Sequence, residues 1–272
     1  MIRFYRSQYP QENVVIEALY DGCDEPKSIH PLDEYAPSEV AVVMGVYKKN
    51  VPASFKRGNV IARQKESGGR VLVLETGYIN RGSGPENHYA LGWDGLNGRA
   101  DFRNAGSLPD RADKLGVELK SRISGHEVIL CGQVPWDASV DFSDHKAWLK
   151  ESAGALLDWG CKVVFRPHPL AILPPIPGCG YSVGGKFIDA LHDTHCVVTF
   201  NSNSAVEAVI EGVPVIATDR GSMAWAVANH ALMDVKAPLL PNRQQWLNDI
   251  AYAQWNVEEL RSGEAWAHIA RK

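Results

Sequence analysis

Continuous apolar runs separated by polar segments dominate the first half of the chain. Residues 39–47 (EVAVVMGVY) and 71–74 (VLVL) are two such runs, typical of strands that are buried on both faces. The polar, basic segment 54–66 between them is helix-permissive, and a Gly-Gly pair follows it. Residues 75–103 show no clear periodicity and predict an irregular loop. Strand, helix and strand followed by a loop form a βαβ pattern, and ligands bind at the carboxyl ends of such strands.

A second alternation begins near residue 127. It predicts strands at 127–131, 162–165, 195–200 and 214–217 and helices at 143–159 and 204–211. Gly160 stands where a glycine commonly ends a helix. Residues 243–272 again have helical spacing, and their tryptophans predict core anchors of a C-terminal helix pair: Trp246, Trp255 and Trp266.

The length and the two alternations together predict two domains. A chain of 272 residues is about two domains long at roughly 150 residues each. We therefore expect an α/β protein with Rossmann-like domains at 1–122 and 123–242, facing a central cleft. Residues 243–272 are expected to form C-terminal helices that pack back on the first domain.

Composition and charge narrow the class of protein. The net charge of −4 provides no overall field for nucleic acid or anionic lipid. Five cysteines, an odd number with no CxxC pair, argue against a disulfide framework and fit a reducing compartment. No apolar run approaches the ~18 residues of a membrane span, and the N-terminus has no signal-peptide pattern. We expect a cytoplasmic protein without integral membrane contact; the oligomeric state stays open.

The segment 201–204 (NSNS) joins a predicted buried strand to a predicted helix. Free N–H groups at such a helix start favour a phosphate, and Glu207, one turn later, can accept from ribose hydroxyls. Ser202, Asn203, Ser204 and Glu207 are therefore candidate ligands of a nucleotide. The alternative is a capped helix, with Ser202 or Ser204 as N-cap and Glu207 completing a capping box. Capping explains one serine and one glutamate, but not four consecutive polar residues.

Two further loops follow predicted strands of the second half. Arg166 and His168 lie in RPHP, where a guanidinium and an imidazole beside rigid prolines can bind a diphosphate. The alternative is a turn with an exposed histidine. Gln133, in GQVPWDASV (residues 132–140), can also reach a ligand together with Asp137 and Ser139. Spacing alone favours a plain surface loop there.

These motifs resemble a known family. GQVPWDASV, FRPHPL and the segment from NSNSAVEAVIEG onward are similar to the G-Q-x-x-x-D-A-S, K/R-P-H-P and S-x-x-x-x-E-A-x-x-x-G patterns of the capsule polysaccharide biosynthesis glycosyltransferases. The segment ETGYINRGS (residues 75–83) is similar to that family's E-D-G-F-x-R-S loop. The similarity covers residues 71–226 in patches. In this chain Thr76 stands where the family has an acidic residue.

The resemblance implies a GT-B-like fold and the transfer of a sugar from a nucleotide-sugar donor to a hydroxyl acceptor, as in β-Kdo transferases. The donor would bind the second domain and the acceptor the first. The resemblance leaves the nucleotide, the sugar and the acceptor open, and a hydroxymethylated base in DNA, as used by phage-type enzymes, is one alternative to a glycan. A nucleotide-sugar epimerase or hydrolase, and a non-catalytic nucleotide or nucleic-acid binder, are the alternative functions.

Glycosyl transfer needs a group that takes the acceptor proton or acts as a nucleophile. Glu75 and Asp94 are the predicted catalytic residues, chosen from the acid/base candidates Glu75, His88, Asp94 and Asp101. For Asp94, whose turn would expose the carboxylate in the cleft, the alternative is an ordinary turn aspartate, because Asp-Gly is a common turn pair.

Predicted acceptor contacts are basic or imidazole side chains of the first half: Lys56, Arg57, Arg81 and His88. Lys56 and Arg57 belong to a basic run, residues 41–65, that has no Asp or Glu and could contact a polyanion such as DNA. The alternative is a solvated helix face. No metal is expected, because the chain has no Asp-x-Asp pair and Arg166 with the helix start can balance a diphosphate.

Overall fold

The computed structural model describes residues 1–48, 51, 54–81, 87–140 and 142–270. The chain divides into two compact units, which we call unit 1 (Met1–Arg111 with Asn248–Lys272) and unit 2 (Ala112–Leu247). The unit boundaries therefore lie at 111 and 247, whereas the sequence analysis places them at 122 and 242. Unit 1 is built from both ends of the chain.

In chain order the helices and strands are β1 (Ile2–Arg6), α1 (Pro10–Gly22), β2 (Lys27–Pro31), β3 (Val40–Met44), α2 (Phe55–Glu66), β4 (Arg70–Thr76), β5 (His88–Trp93), α3 (Asp110–Leu115), β6 (Glu127–Cys131), α4 (His145–Asp158), β7 (Lys162–Arg166), β8 (Gly180–Tyr181), β9 (Thr194–Thr199), α5 (Ser204–Ile210), β10 (Val215–Ala217), α6 (Gln244–Ala251), β11 (Gln254–Asn256), α7 (Val257–Arg261) and α8 (Glu264–Ile269).

Unit 1 contains a six-stranded sheet in the order β11-β5-β4-β3-β1-β2. The strands β2, β1, β3 and β4 are parallel, whereas at one edge β5 runs antiparallel to β4 and β11 runs antiparallel to β5. The chain passes from β1 to β2 on one side and then to β3 on the other. The direction of winding therefore changes between β1 and β3, and such a switch point opens a crevice at the carboxyl ends of the two strands.

Two apolar layers cover the sheet of unit 1. Helices α1, α7 and α8 contribute to one core with Phe4, Leu72 and the fully buried Trp255. Residues of α2 pack with Tyr5 and Val43 in the other. The expected return of the C-terminal segment to the first unit is confirmed, and Trp255 and Trp266 are core residues as predicted. Trp255, however, lies in the short strand β11 and not in a helix.

Two predictions for the first half are corrected by the structure. Residues 75–103 are not wholly irregular, because β5 pairs antiparallel with β4 over five residues. The segment before residue 39, for which no element was predicted, forms β1, α1 and β2. The strand β2 (KSIHP) lies at the sheet edge with no fully buried residue, so it lacks the apolar signal of the central strands.

Unit 2 contains a five-stranded, wholly parallel sheet in the order β10-β9-β6-β7-β8. The predicted strands and helices of this half are confirmed within a residue or two at each end. Gly160 follows α4 with φ +78°, the left-handed conformation that a glycine tolerates at a helix end. The winding changes direction between β6 and β9, which places a second switch point here. In the described residues, no helix is both long enough and apolar enough to span a membrane.

Candidate functional site

The register of the unit 2 sheet aligns the carboxyl ends of four strands. Cys131 of β6 pairs with Arg166 of β7 and with Thr199 of β9, and Thr199 pairs with Ala217 of β10. The four loops that follow these strands therefore start side by side along one edge. We call the space between the loops after β6 and β9 the β6/β9 crevice, because it lies at the switch point where α/β sheets bind ligands.

Two amide side chains join the loops of the β6/β9 crevice. Nε2 of Gln133 donates to Oδ1 of Asn201 over 2.8 Å, and Oε1 of Gln133 accepts from the Asn201 N–H over 2.9 Å. Both residues are buried, with 6% and 4% of their surface exposed. Gln133, predicted to bind the donor directly, thus engages both amide atoms inside the protein. We assign it to holding the crevice in shape.

Asn201 also connects the loop after β10. Its Nδ2 donates to the Ser139 carbonyl and to Oδ1 of Asp219, each over 2.8 Å. The same Asp219 oxygen accepts from the Gly221 N–H. Asp219 was not predicted as a site residue, although it follows the predicted strand 214–217 just as Asn201 follows β9. The signal for it was its position directly after a parallel strand, where the other polar residues of this edge also lie.

His145, at the start of α4, contacts the loop after β6. Its Nε2 accepts from the Gln133 N–H over 3.0 Å, so a neutral ring carries its proton on Nδ1. Burial lowers the pKa of His145 to about 4, because the charged ring would lose its hydration. The imidazole stacks on Trp148 with ring centres 5.2 Å apart.

We expect His145 to stay neutral at pH 5.5, and its NMR ring resonances to titrate near pH 4. The unfolded chain binds this proton from its ordinary pKa of 6.5 downward, whereas the folded chain does not. The contribution of the neutral ring to stability is therefore complete above pH 6.5 and is lost as the pH falls to 4. In His145→Gln this part of the pH dependence of unfolding should disappear. A titration midpoint at or above pH 6 would contradict the burial argument.

The segment around the start of α5 differs from a capping box. The helix begins at Ser204 and has seven residues, with Asn203 as an N-cap that makes no side-chain capping bond. Oγ of Ser202 accepts from the Ser204 N–H over 3.2 Å, and Nδ2 of Asn203 donates to Oε1 of Glu207 over 3.4 Å. The N-cap position is thus held by Asn203 and not by a serine, which differs from the alternative of a serine cap with Glu207 as its partner.

Ser204 is oriented toward the sheet. Burial raises the pKa of the Cys131 thiol below it to about 12, a rise that the Ser204 hydroxyl partly opposes. The thiol is thus inert at neutral pH. Ser202, Asn203, Ser204 and Glu207 are all half-buried, but the hydroxyl oxygen of Ser204 is itself buried, which leaves Ser202, Asn203 and Glu207 as the side chains considered for ligand contact.

Arg166 and His168 differ in what they contact. The guanidinium of Arg166 donates to Oγ of Ser182 over 2.7 Å and to the carbonyls of Gly184 and Gly185, each over 2.9 Å. Arg166, predicted as a phosphate ligand, thus holds the loop after β8. In His168, Nδ1 accepts from the Leu170 N–H over 3.1 Å, which leaves the proton of the neutral ring on Nε2.

The carboxyl edge of the unit 1 sheet carries a second polar group of residues. Glu75 lies near the end of β4, and Gly45 follows β3. Arg57 of α2, with 6% of its surface exposed, pairs with Oε2 of Glu12 over 2.8 Å, and Ser7 donates to the same oxygen. We call these five residues the Arg57 cluster. The sequence analysis singled out Arg57 and Glu75 but neither Ser7 nor Glu12, which lie in the unpredicted β1–α1 region.

The basic run is not the open cationic surface that the sequence analysis considered. Lys56 pairs with Asp33 over 2.9 Å, and Arg57 is buried against Glu12. Arg63 lies over the ring of Tyr35, 4.5 Å from its centre. The acidic partners come from segments distant in sequence, so the local pattern did not show them. Arg57 therefore cannot contact a polyanion from the surface; Lys49 lies outside the described residues.

The prediction that Asp94 is a cleft-facing catalytic carboxylate is wrong. Its Oδ1 accepts from the Val71 N–H over 2.8 Å and its Oδ2 pairs with Arg70 over 2.8 Å, both at the amino end of β4. Asp94 has φ +56° in the turn after β5. It therefore lies at the sheet edge opposite Glu75, and the alternative of a turn aspartate is the correct one.

The remaining candidates of unit 1 are also located by the structure. His88, a predicted acceptor contact, begins β5 and is 6% exposed, so it is placed in the sheet and not on an open surface. Asp101 is exposed and bridges to Trp93, in the same strand end as Asp94. Arg81 is exposed after β4, and residues 82–86, which complete the ETGYINRGS segment, lie outside the described residues. Within the described part of the chain, no three His, Cys, Asp or Glu side chains are grouped to hold a metal.

Comparison with known proteins establishes the fold. No family model and no curated protein matches the chain. The solved structure of the Thermosulfurimonas dismutans KpsC beta Kdo 2,4 transferase is similar with a TM-score of 0.62 and 14% identity, over 92% of this chain and 89% of that one. The KpsC beta Kdo 2,7 transferase of the same organism has a TM-score of 0.59 and 14% identity, over 99% of both chains. The predicted GT-B-like α/β fold is confirmed.

Proposed function

We propose that the chain is a glycosyltransferase that moves a sugar from a nucleotide-sugar donor to a hydroxyl acceptor. The observation that carries the proposal is the polar carboxyl edge of unit 2, where four loops meet at a switch point of the parallel sheet. The similarity in fold to two β-Kdo transferases supports the same class. The donor would bind at this edge, through His168, Ser202, Asn203 and Glu207.

These side chains have chemistry suited to a nucleotide diphosphate and a ribose. The Nε2–H of His168 can donate to a diphosphate oxygen, and the carboxylate of Glu207 can accept from ribose hydroxyls. Arg166 and Gln133 would act indirectly, by holding the loops that follow β8 and β6. We propose that the diphosphate is bound without a divalent metal.

We further propose that unit 1 binds the acceptor and that Glu75 takes the proton from its hydroxyl. Glu75 lies at the carboxyl edge of that sheet, where an open α/β sheet binds ligands. A saccharide is the favoured acceptor over DNA, because Lys56 and Arg57 are each paired with a carboxylate. Two paired cations offer little of the unpaired positive charge that drives binding to a phosphate backbone.

A panel of nucleotide sugars tested by thermal shift, with and without EDTA, checks the proposal. A ligand at 100 times its Kd stabilises the folded chain by about 2.7 kcal/mol. We expect a donor to raise the melting temperature equally in both buffers. His168→Ala and Glu207→Gln should each weaken its binding about 10- to 100-fold, the effect of one lost charge-assisted contact.

The matched control is His192→Ala, because His192 is exposed and bonds only locally, to the Asp189 carbonyl. It should leave the affinity unchanged. Stabilisation by no donor in the panel would contradict donor binding, and stabilisation only without EDTA would contradict metal independence. With a donor identified, release of an isomer or of free sugar in place of a transferred sugar would indicate an epimerase or hydrolase.

A further inference from the structure

The switch point of the unit 1 sheet contains a buried charged side chain, Arg57, which the fold itself does not require. The side chain of Arg57 is 8% exposed, and that of its partner Glu12 is 24% exposed. A buried ion pair of this kind gives little net stability, because both groups lose hydration. The pair lies where β1 ends and β3 is followed by Gly45, at the switch point of unit 1.

The two terminal nitrogens of Arg57 are used differently. Nη2 donates to Oε2 of Glu12 over 2.8 Å and lies 3.5 Å from Oγ of Ser7. Nη1 is directed at Gly45 and lies 2.6 Å from the position that a Cβ on this glycine would occupy. Among the described residues, no acceptor takes a hydrogen bond from Nη1. One donor of a largely buried guanidinium therefore remains available at the crevice.

The carboxylate of Glu75 borders the same point. Its Oε2 is 3.6 Å from the Cβ position on Gly45, whereas its Oε1 accepts from the Thr76 N–H. In the described part of unit 1, Arg57 makes no direct ion pair with Glu75. A guanidinium donor and a carboxylate acceptor thus border the same space beside Gly45, and the two do not pair with each other directly.

We infer that this space is a hydroxyl-binding subsite, in which one oxygen accepts from Nη1 of Arg57 and donates to Oε2 of Glu75. A hydroxyl matches this pair because it is both donor and acceptor. A phosphate oxygen does not, since it carries no proton to donate and the cluster has two carboxylates against one guanidinium. The inference rests on the proposed function for its role: the hydroxyl would be that of the acceptor, and Glu12 and Ser7 would position Arg57.

Two features of the structure favour a glycine at position 45. Its φ is +74°, a conformation that side chains rarely adopt, and a Cβ would collide with Nη1. Gly45→Ala should therefore displace the guanidinium without changing any charge. The glycine makes the close approach of Arg57 possible.

A crystal structure of the protein grown without added polyol gives the first test, with water as the probe. We expect one ordered water oxygen within hydrogen-bond distance of both Nη1 of Arg57 and Oε2 of Glu75. A direct Arg57–Glu75 ion pair, or no ordered oxygen at this position in a map that resolves the neighbouring waters, would overturn the inference.

Hydrolysis of the donor that stabilises the wild type gives the second test, because water can occupy the acceptor position. The double variant Arg57→Met with Glu12→Gln removes both members of the buried pair, so it leaves no lone buried charge. We expect its kcat for hydrolysis to fall at least tenfold while the donor KM changes less than about twofold, one lost hydrogen bond to a charged group being about 1.5–3 kcal/mol. Gly45→Ala should show the same split.

Glu66→Gln is the matched control, since Glu66 is an exposed residue at the end of the same helix α2 and the substitution removes one charge. It should leave kcat and KM unchanged. Equal rates in the double variant and the wild type, at equal melting temperatures, would refute the subsite while donor binding and the proposed function stand. If no donor binds the wild type, the proposed function fails, and the bridging oxygen in the crystal decides the subsite by itself.

Discussion

Replacing Arg111 by methionine should lower the free energy of unfolding of unit 1 by about 3–5 kcal/mol, the cost of breaking a buried ion pair from one side. The side chain of Arg111 is 4% exposed and makes a two-pronged contact with Glu259, at 3.1 and 3.0 Å. It also donates to the carbonyls of Ala251 and Gln254 and lies 3.7 Å above the ring of Trp255. One guanidinium thus attaches the C-terminal segment to the rest of unit 1.

Urea denaturation followed by tryptophan fluorescence measures the effect, and hydrogen exchange of β11 and α7 shows whether the segment detaches first. Adding Glu259→Gln to Arg111→Met should recover part of the loss, because the lone buried carboxylate is then gone. Arg261→Met is the control: Arg261 is 44% exposed and its pair with Glu258 should contribute less than about 1 kcal/mol. Equal losses for Arg111→Met and Arg261→Met would contradict the role of burial.

Most of the parallel strands that were predicted are uninterrupted apolar runs. In β3, β6 and β9 all residues but one are buried, and β4 contains four consecutive buried residues, so the sequence shows both faces at once. Helix α4 was predicted from the helical spacing of its apolar residues, with Gly160 marking its end. What a local pattern cannot show is an edge strand such as β2, where half-buried polar residues serve equally well.

The error at Asp94 follows from one missed strand. The turn itself was recognised, since Asp94 does stand in a tight turn with φ +56°. Without β5, a loop after β4 would stay at the carboxyl edge and bring Asp94 near Glu75. Because β5 runs antiparallel to β4, it carries the chain across the sheet to the opposite edge. A single unrecognised strand therefore moved a predicted catalytic residue to the wrong end of the sheet.

At the candidate sites, the sequence predicted which loops carry polar residues better than it predicted what each polar side chain contacts. Gln133 and Arg166 lie at the carboxyl edge as predicted, yet both are engaged with neighbouring loops. Arg57 was expected at the surface, and its partner Glu12 lies 45 residues away in sequence. Which polar side chain faces a ligand, and which holds a loop, depends on contacts between distant segments that no local pattern contains.

Changing Asn201 to aspartate should destabilise unit 2 by about 2–4 kcal/mol and abolish the proposed donor binding. The substitution is nearly isosteric, but it replaces the two donors on Nδ2 by acceptor lone pairs. These would face the Ser139 carbonyl and Oδ1 of Asp219, both of which now accept from Nδ2 over 2.8 Å. Each buried group left unsatisfied costs about 1–3 kcal/mol, and the new carboxylate also repels Asp219.

Asp219→Asn is the matched variant for this network. Its amide oxygen can still accept from Nδ2 of Asn201, so it should lower stability by less than about 1.5 kcal/mol, the net value of one ordinary hydrogen bond. Combining Asn201→Asp with Asp219→Asn exchanges donor and acceptor and should recover part of the loss. The single variant Asn201→Asp should also gain stability relative to the wild type as the pH falls, since a protonated carboxyl can donate to Asp219. Additive losses in the double variant, with no recovery at low pH, would show that these two side chains do not act as a pair and that the β6/β9 crevice is held by other contacts.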